Sequence, residues 1–426
     1  MKLLFHFSVL AFTHGVAAAS FPGNTANTGI IREYHFEITD VTVAPDGYPW
    51  PVINGSTMVA DWGDTVMVHV TNALQSSTNG TSFSFHVIRQ NYTNMMDRVI
   101  PITQCPKAIQ YGSSWYHSHF GLQVWEGVVG GIVINGPAST KYGEDEGILF
   151  PNDWTHQTSP SEPRKCFNFP VDNNALTIIA NELVPIQPHS TTILSIDIGQ
   201  RYDVIITADK SFGVDNFWLR AIPQAACSEN DSADNIRSIV YYGDSPGIPN
   251  TTGYTYVDNC EMKIHPIFNQ LCVIAMANKC EYLLRLYLDG FTMQVKWDNP
   301  NLLQIYNNEK VDEWVYVLIE SSIPTPHPIH LHEHDFSILA QGTGNYTASS
   351  YTTLINPLRR DTATLPTAGY LLLTFQADNP MFGFALQFVE RYHIIRDLID
   401  EDSLTGTCES WNAFSTDKVV EGDSGI

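Results

Sequence analysis

Basic residues are scarce in this chain. Lys and Arg total 22 against 45 Asp and Glu, a formal net charge of −23 over 426 residues. A surface this acidic repels phosphate backbones and anionic lipid, which argues against a nucleic-acid or membrane-surface partner. Cysteine is sparse too. There are seven, no two of them spaced Cys-X-X-Cys, so a zinc ribbon is not expected. Beyond the first residues no segment stays apolar long enough to cross a bilayer. Long helical periodicity is also scarce.

What is present describes a globular chain: 43% hydrophobic and 12% aromatic residues, with length for two or three domains. "DTVMVHVTNAL" (64–74), "TTILSIDI" (191–198), "RYDVIITA" (201–208) and "EWVYVLIE" (313–320) alternate or run apolar and are rich in β-branched and aromatic residues. Turn clusters such as "APDGYP" and "GDSPGIPN" separate such runs. The pattern predicts an all-β chain of β-sandwiches. Pro, Gly, Ser, Asp and Asn crowd near 137–165 and 243–262, which predicts domains over 20–140, 141–250 and 251–426.

The first 19 residues, "MKLLFHFSVLAFTHGVAAA", have a basic start, an apolar stretch and a run of small residues, and so read as a secretory signal peptide. A buried first strand is the other reading. Six Asn-X-Ser/Thr triplets, at Asn54, Asn79, Asn91, Asn230, Asn250 and Asn345, are compatible with a secreted glycoprotein. In an oxidising compartment the odd cysteine count allows two or three disulfides and leaves at least one thiol unpaired.

The chemistry concentrates in histidine. Four of the fifteen lie in "HPIHLHEH" (327–334), and a further pair in "WYHSHF" (115–120). Alternate residues of a strand share a face, so His117 and His119 are predicted side by side, as are His330, His332 and His334 if the strand runs that far. Clustered imidazoles repel when protonated and lose hydration when buried; a metal ion relieves both. Neutral imidazole suits zinc, copper, iron and nickel alike, so residue type alone does not name the metal.

Longer stretches carry a resemblance. "ADWGDTVMVHVTNAL" (60–74), "GSSWYHSHFGLQVWEGVVGGIVINGP" (112–137), "IGQRYDVIITA" (198–208), "DEWVYVLIESSIPTPHPIHLHEHDFSILAQG" (312–342) and "LRRDTATLP" (358–366) run nearly end to end. On these the chain resembles the fungal multicopper oxidases, most of all the ascomycete laccases. The resemblance implies three cupredoxin-like Greek-key β-sandwiches. It implies a type 1 copper in the third and a trinuclear copper cluster between the first and third. It also implies a secreted, monomeric enzyme that takes single electrons from phenols or aromatic amines and reduces O2 to water. Ascorbate oxidase and ferroxidase relatives stay open as alternatives.

Carried over position by position, the resemblance makes His86, His117, His119 and His332 type 3 ligands, His330 a type 2 ligand and His327 a type 1 ligand. Asp97 matches an acid that delivers protons to the cluster. Cys105 with Cys408, and Cys227 with Cys260, match family disulfides, and the ending "DSGI" resembles the ascomycete tail. The departures are as telling. The first motif, His-Trp-His-Gly in the family, has Ser84 at its first histidine. The fourth, His-Cys-His, should lie between "ADNP" (377–380) and "FALQFVER" (384–391), where only Met381, Phe382 and Gly383 stand. With it go the type 1 thiolate and two type 3 imidazoles, so fewer than four coppers and impaired catalysis are expected. A non-catalytic secreted copper-binding remnant, and an active laccase whose sequence as given lacks segments, are the other readings. The second domain is shortened between residues 159 and 172. Glu182 falls near that gap, and the sequence gives it no role.

Overall fold

The computed structural model describes residues 2–7, 28–44, 47–53, 56–75, 81–86, 88, 110–119, 123–124, 126–151, 167–207, 213–224, 236–242, 246–258, 282–288, 313–332, 334–347 and 356–377. Every element among them is a strand. Asp97, all seven cysteines, the region after Ala377 and the tail lie outside the described residues.

In the first unit, Ile31–Ile38 and Thr65–Asn72 alternate. Phe36, Ile38, Val66 and Val68 turn into a core, while Glu33 and His35 face solvent. The two strands run parallel with His35 opposite His69. A four-stranded sheet, ordered Met58–Asp61, Val129–Asn135, Gly112–His117 and Ser84–Phe85, adds Met58, Ile132, Ile134, Tyr116 and Phe85 to the same core. Tyr116 needs a bare backbone beside it, because a Cβ on Gly130 would collide with its ring. Its hydroxyl donates to Ser56 O at 2.5 Å and accepts from Ser56 N at 2.8 Å. The strand that ends in His117 is thereby anchored one residue before the histidine.

The second unit is built on a five-stranded sheet ordered Glu144–Ile148, Lys2–Phe7, Tyr202–Thr207, Leu176–Asn181 and Val184–Thr191. Residues read from the sequence as the start of a leader are thus a strand in this chain. Lys2–Phe7 runs antiparallel to Tyr202–Thr207 and parallel to Glu144–Ile148. The physical reason lies in the neighbour. Tyr202, Val204, Ile205 and Ile206 are all buried, so the strand is covered on both faces and its open edge needs a hydrogen-bonding partner. A short apolar strand supplies one.

The third unit shows the same two-sided burial in sequence terms. Along Glu313–Ser321, Val315, Val317 and Ile319 enter one core and Tyr316 and Leu318 another. Its antiparallel neighbour Gly369–Ala377 repeats the alternation, with Leu371, Leu373 and Phe375 on one face and Tyr370 and Leu372 on the other. Each such side chain contributes about 1.5–3 kcal/mol when fully buried, which locks the register. Beside this sheet, His327–His330 pairs antiparallel with Thr362–Leu365, His330 opposite Thr362.

Candidate metal centre

Histidines from the first and third units meet. His86 follows the Ser84–Phe85 strand, held by its backbone N–H donating to Trp115 O at 3.0 Å and by stacking on the Trp115 ring at 4.6 Å. His117 ends the adjacent strand, and both imidazoles are buried. His119 lies two residues on, beyond the end of the strand, with its ring 5.5 Å from that of His117. Its backbone N–H donates to Ser82 Oγ at 3.1 Å. From the third unit, the His330 ring stacks on His86 at 4.0 Å, and His332 lies 4.5 Å from His330 and 5.6 Å from His119.

The ring orientations follow from the other nitrogen of each ring. His117 Nδ1 lies 2.9 Å from Ser118 O, His330 Nδ1 2.9 Å from Asp361 O, and His86 Nδ1 3.1 Å from Asp361 Oδ2. Each oxygen is an acceptor, so each Nδ1 carries the proton and each Nε2 presents a lone pair. Nε2 of His86 and of His117 stand 3.0 Å apart. Two lone pairs at that distance repel unless a cation stands between them. Protonation is disfavoured at His86, whose pKa is held well below the ordinary imidazole range by burial and then by the charges of His330, His117 and Arg201. A metal ion held by the paired Nε2 atoms would relieve that repulsion, and imidazole donors suit copper as they suit zinc, iron and nickel.

His334 and His327 stand apart from the cluster, and His332 joins it from outside the strand. The strand ends at His330, so His332 sits in a turn and alternation stops there. His334 is buried edge-on against Phe375, within the core of the third unit. His327 stands at the far end of the strand, its Nδ1 3.1 Å from Thr325 O, and the odd spacing puts it on the opposite face from His330.

Behind the histidines lies a buried network that sequence reasoning missed. Asp361 is fully buried. Its Oδ2 faces Nδ1 of His86 and, at 3.3 Å, of His330, and its Oδ1 accepts from Arg201 Nη1 at 2.7 Å. Glu182 Oε1 accepts from Arg360 Nη2 at 2.8 Å and Nε at 3.1 Å, and its Oε2 accepts from the Asp361 backbone N–H. Burial pushes the Glu182 carboxyl up to about 8, with the Arg360 and Arg201 charges opposing. Two carboxyl groups and two guanidinium groups thus join the second and third units under the metal centre. The only signal in sequence was charge set among apolar strand residues in "IGQRYDVIITA" and "LRRDTATLP". Ser84, where the family has histidine, is also buried, with its Oγ 3.2 Å from His332 Nδ1.

Family models described as multicopper oxidase match residues 37–139, 162–244 and 281–386. Laccase-2 of Botryotinia fuckeliana is 33% identical, covering 94% of this chain and 90% of the relative. The chain belongs to the multicopper oxidases. Laccase-1 of the same fungus is 34% identical over 92% of the chain and 89% of the relative. The Laccase-2 alignment runs over 528 residues, more than this multicopper oxidase has, so that relative carries segments for which this one has no counterpart. The crystal structure of laccase from Botrytis aclada superposes with a TM-score of 0.74 at 30% identity, covering 93% of this chain and 95% of that one. The three β-sandwiches are therefore cupredoxin-like. Fet3p, a multicopper oxidase that functions in iron import, shares the fold at a TM-score of 0.71 and 16% identity.

Proposed function

We propose that this chain is a secreted, monomeric, laccase-like multicopper oxidase that holds fewer than four coppers and oxidises phenols or aromatic amines poorly or not at all. His86, His117, His119, His330 and His332 would hold the metal. Bound copper supplies single-electron transfer and a place for O2 to be reduced to water. The protein's own part is positional. Trp115 and the carbonyl of Ser118 orient His86 and His117, and Asp361 orients His86 and His330. Asp97, matched to a proton-delivering acid, completes the proposed set.

One observation carries the reading: five imidazoles converge, yet the chain from Ala377 to Phe388 holds neither histidine nor cysteine. His327 is left without the thiolate and second imidazole that a type 1 copper requires. Exposed Asn250 and Asn345 support glycosylation during secretion.

Copper content by mass spectrometry, read with the visible spectrum and phenol oxidation of the same preparation, tests it. The expected result is fewer than four coppers per chain, no copper–thiolate absorption and negligible turnover. Four coppers with phenol turnover would overturn it. Sequencing the transcript across Ala377 to Phe388 then separates a true remnant from a gene whose message includes a His-Cys-His segment.

A further inference from the structure

A second set of metal-type donors lies outside this centre, on the solvent face of the Ile31–Ile38 and Thr65–Asn72 ladder. Glu33 and His35 are two residues apart on one strand and share its outward face. His69 stands directly opposite His35 on the neighbouring strand. The two rings stack with centroids 4.5 Å apart and planes within 6°. Nε2 of His69 lies 2.9 Å and Nε2 of His35 3.4 Å from the same oxygen, Glu33 Oε1. The three ligand atoms all lie within 4.8 Å of one another.

We propose that Glu33, His35 and His69 form a surface site for a divalent late transition metal ion, Zn2+ or Cu2+. The argument is geometric and chemical. An eight-residue parallel ladder fixes the three Cα positions, so the donors converge without ordering any loop. The other face of both strands, with Phe36, Ile38, Val66 and Val68, is buried in the core, which holds the donors outward. Two imidazoles and a carboxylate are the donor set of three-ligand zinc sites, with water completing the shell. Exposure lets the rings turn about their Cβ–Cγ bonds to aim in-plane lone pairs at one ion. It also removes most of the desolvation cost that a buried cation would meet. The chain's charge of −23 raises the local concentration of cations.

The site is independent of the interior histidines, and the test keeps them apart. Zn2+ is titrated calorimetrically into the full-length chain, into His35→Ala/His69→Ala, and into His330→Ala/His332→Ala. Circular dichroism checks the fold of each. The surface double variant is expected to lose one Zn2+ equivalent, while the interior variant keeps it. Glu33→Gln, which preserves shape and removes charge, is expected to weaken that same equivalent about tenfold, or about 1.4 kcal/mol. Unchanged Zn2+ stoichiometry and affinity in the His35→Ala/His69→Ala variant would overturn the proposal. So would loss of the surface equivalent from the interior variant alone.

Discussion

His86 Nδ1 stands 3.1 Å from Asp361 Oδ2, although 275 positions of chain separate the two residues. The same aspartate faces His330 and accepts from Arg201. One buried carboxylate therefore ties together a histidine of the first unit, an arginine of the second and a histidine of the third. The candidate metal centre and the joining of the three units share it.

Replacing that carboxylate tests both roles. Asp361→Ala leaves Arg201 buried without its closest charged partner, and loss of one side of a buried pair costs about 3–5 kcal/mol. Urea denaturation is expected to show a correspondingly lower midpoint. Asp361→Asn keeps the shape but weakens the hold on two Nδ1 protons, and copper affinity is expected to fall about 10–100-fold. A wild-type midpoint together with wild-type copper affinity would remove Asp361 from both roles.

Ser84 marks where the family has a histidine, and the structure sets it in register with His117 and against His332. Ser84→His adds a donor at the cluster. We expect copper to be held about tenfold more tightly in competition with a chelator, a gain of about 1.4 kcal/mol. Stability is expected to drop by about 1–3 kcal/mol, because the site is fully buried and the larger ring must be accommodated. Identical chelator competition in wild type and variant would show that position 84 does not face the metal.

Acid should loosen the first unit through Asp64. Burial alone would raise its pKa. Hydrogen bonds from Thr28 Oγ1 at 2.6 Å, Arg32 Nε at 2.6 Å and the Asp61 backbone N–H at 3.2 Å more than offset this and hold it below its ordinary value of 3.8. A depressed carboxylate contributes stability above its unfolded pKa and loses it as pH falls through the lower folded value. Asp64→Asn is expected to be about 1.5–3 kcal/mol less stable near neutral pH and to lack this acid-dependent component. Parallel pH profiles for wild type and variant would contradict the assignment.

Processing of the N-terminus has a structural consequence. Removal of residues 1–19 would strip Lys2–Phe7 from between Tyr202–Thr207 and Glu144–Ile148. Peptide mapping of secreted material is expected to begin at Ser20, with faster amide exchange along Tyr202–Thr207 than in the uncleaved chain. Mapping that begins at Met1 would instead make that strand a permanent part of the second sandwich.

The strands were legible because their signal is local. Alternation in "DTVMVHVTNAL" and the apolar runs of "RYDVIITA" and "EWVYVLIE" match Thr65–Asn72, Tyr202–Thr207 and Glu313–Ser321. His117 and His119 were legible as neighbours from their spacing, although the strand ends at His117 and His119 follows it. Where the strand stopped after His330, the local rule stopped too, and His334 turned into the core. The buried carboxylates were not legible, since nothing near Glu182 or Asp361 in the chain names a partner some 178 or 275 positions away.

The sequence by itself determined the strand pattern, the imidazole supply and the missing thiolate, because side-chain alternation and donor chemistry are properties of short stretches. Only the tertiary structure decided which imidazoles meet, which nitrogen of each faces inward, and which buried charges neutralise one another. Those depend on distances between residues hundreds of positions apart, set by how the hydrophobic cores of the three units pack.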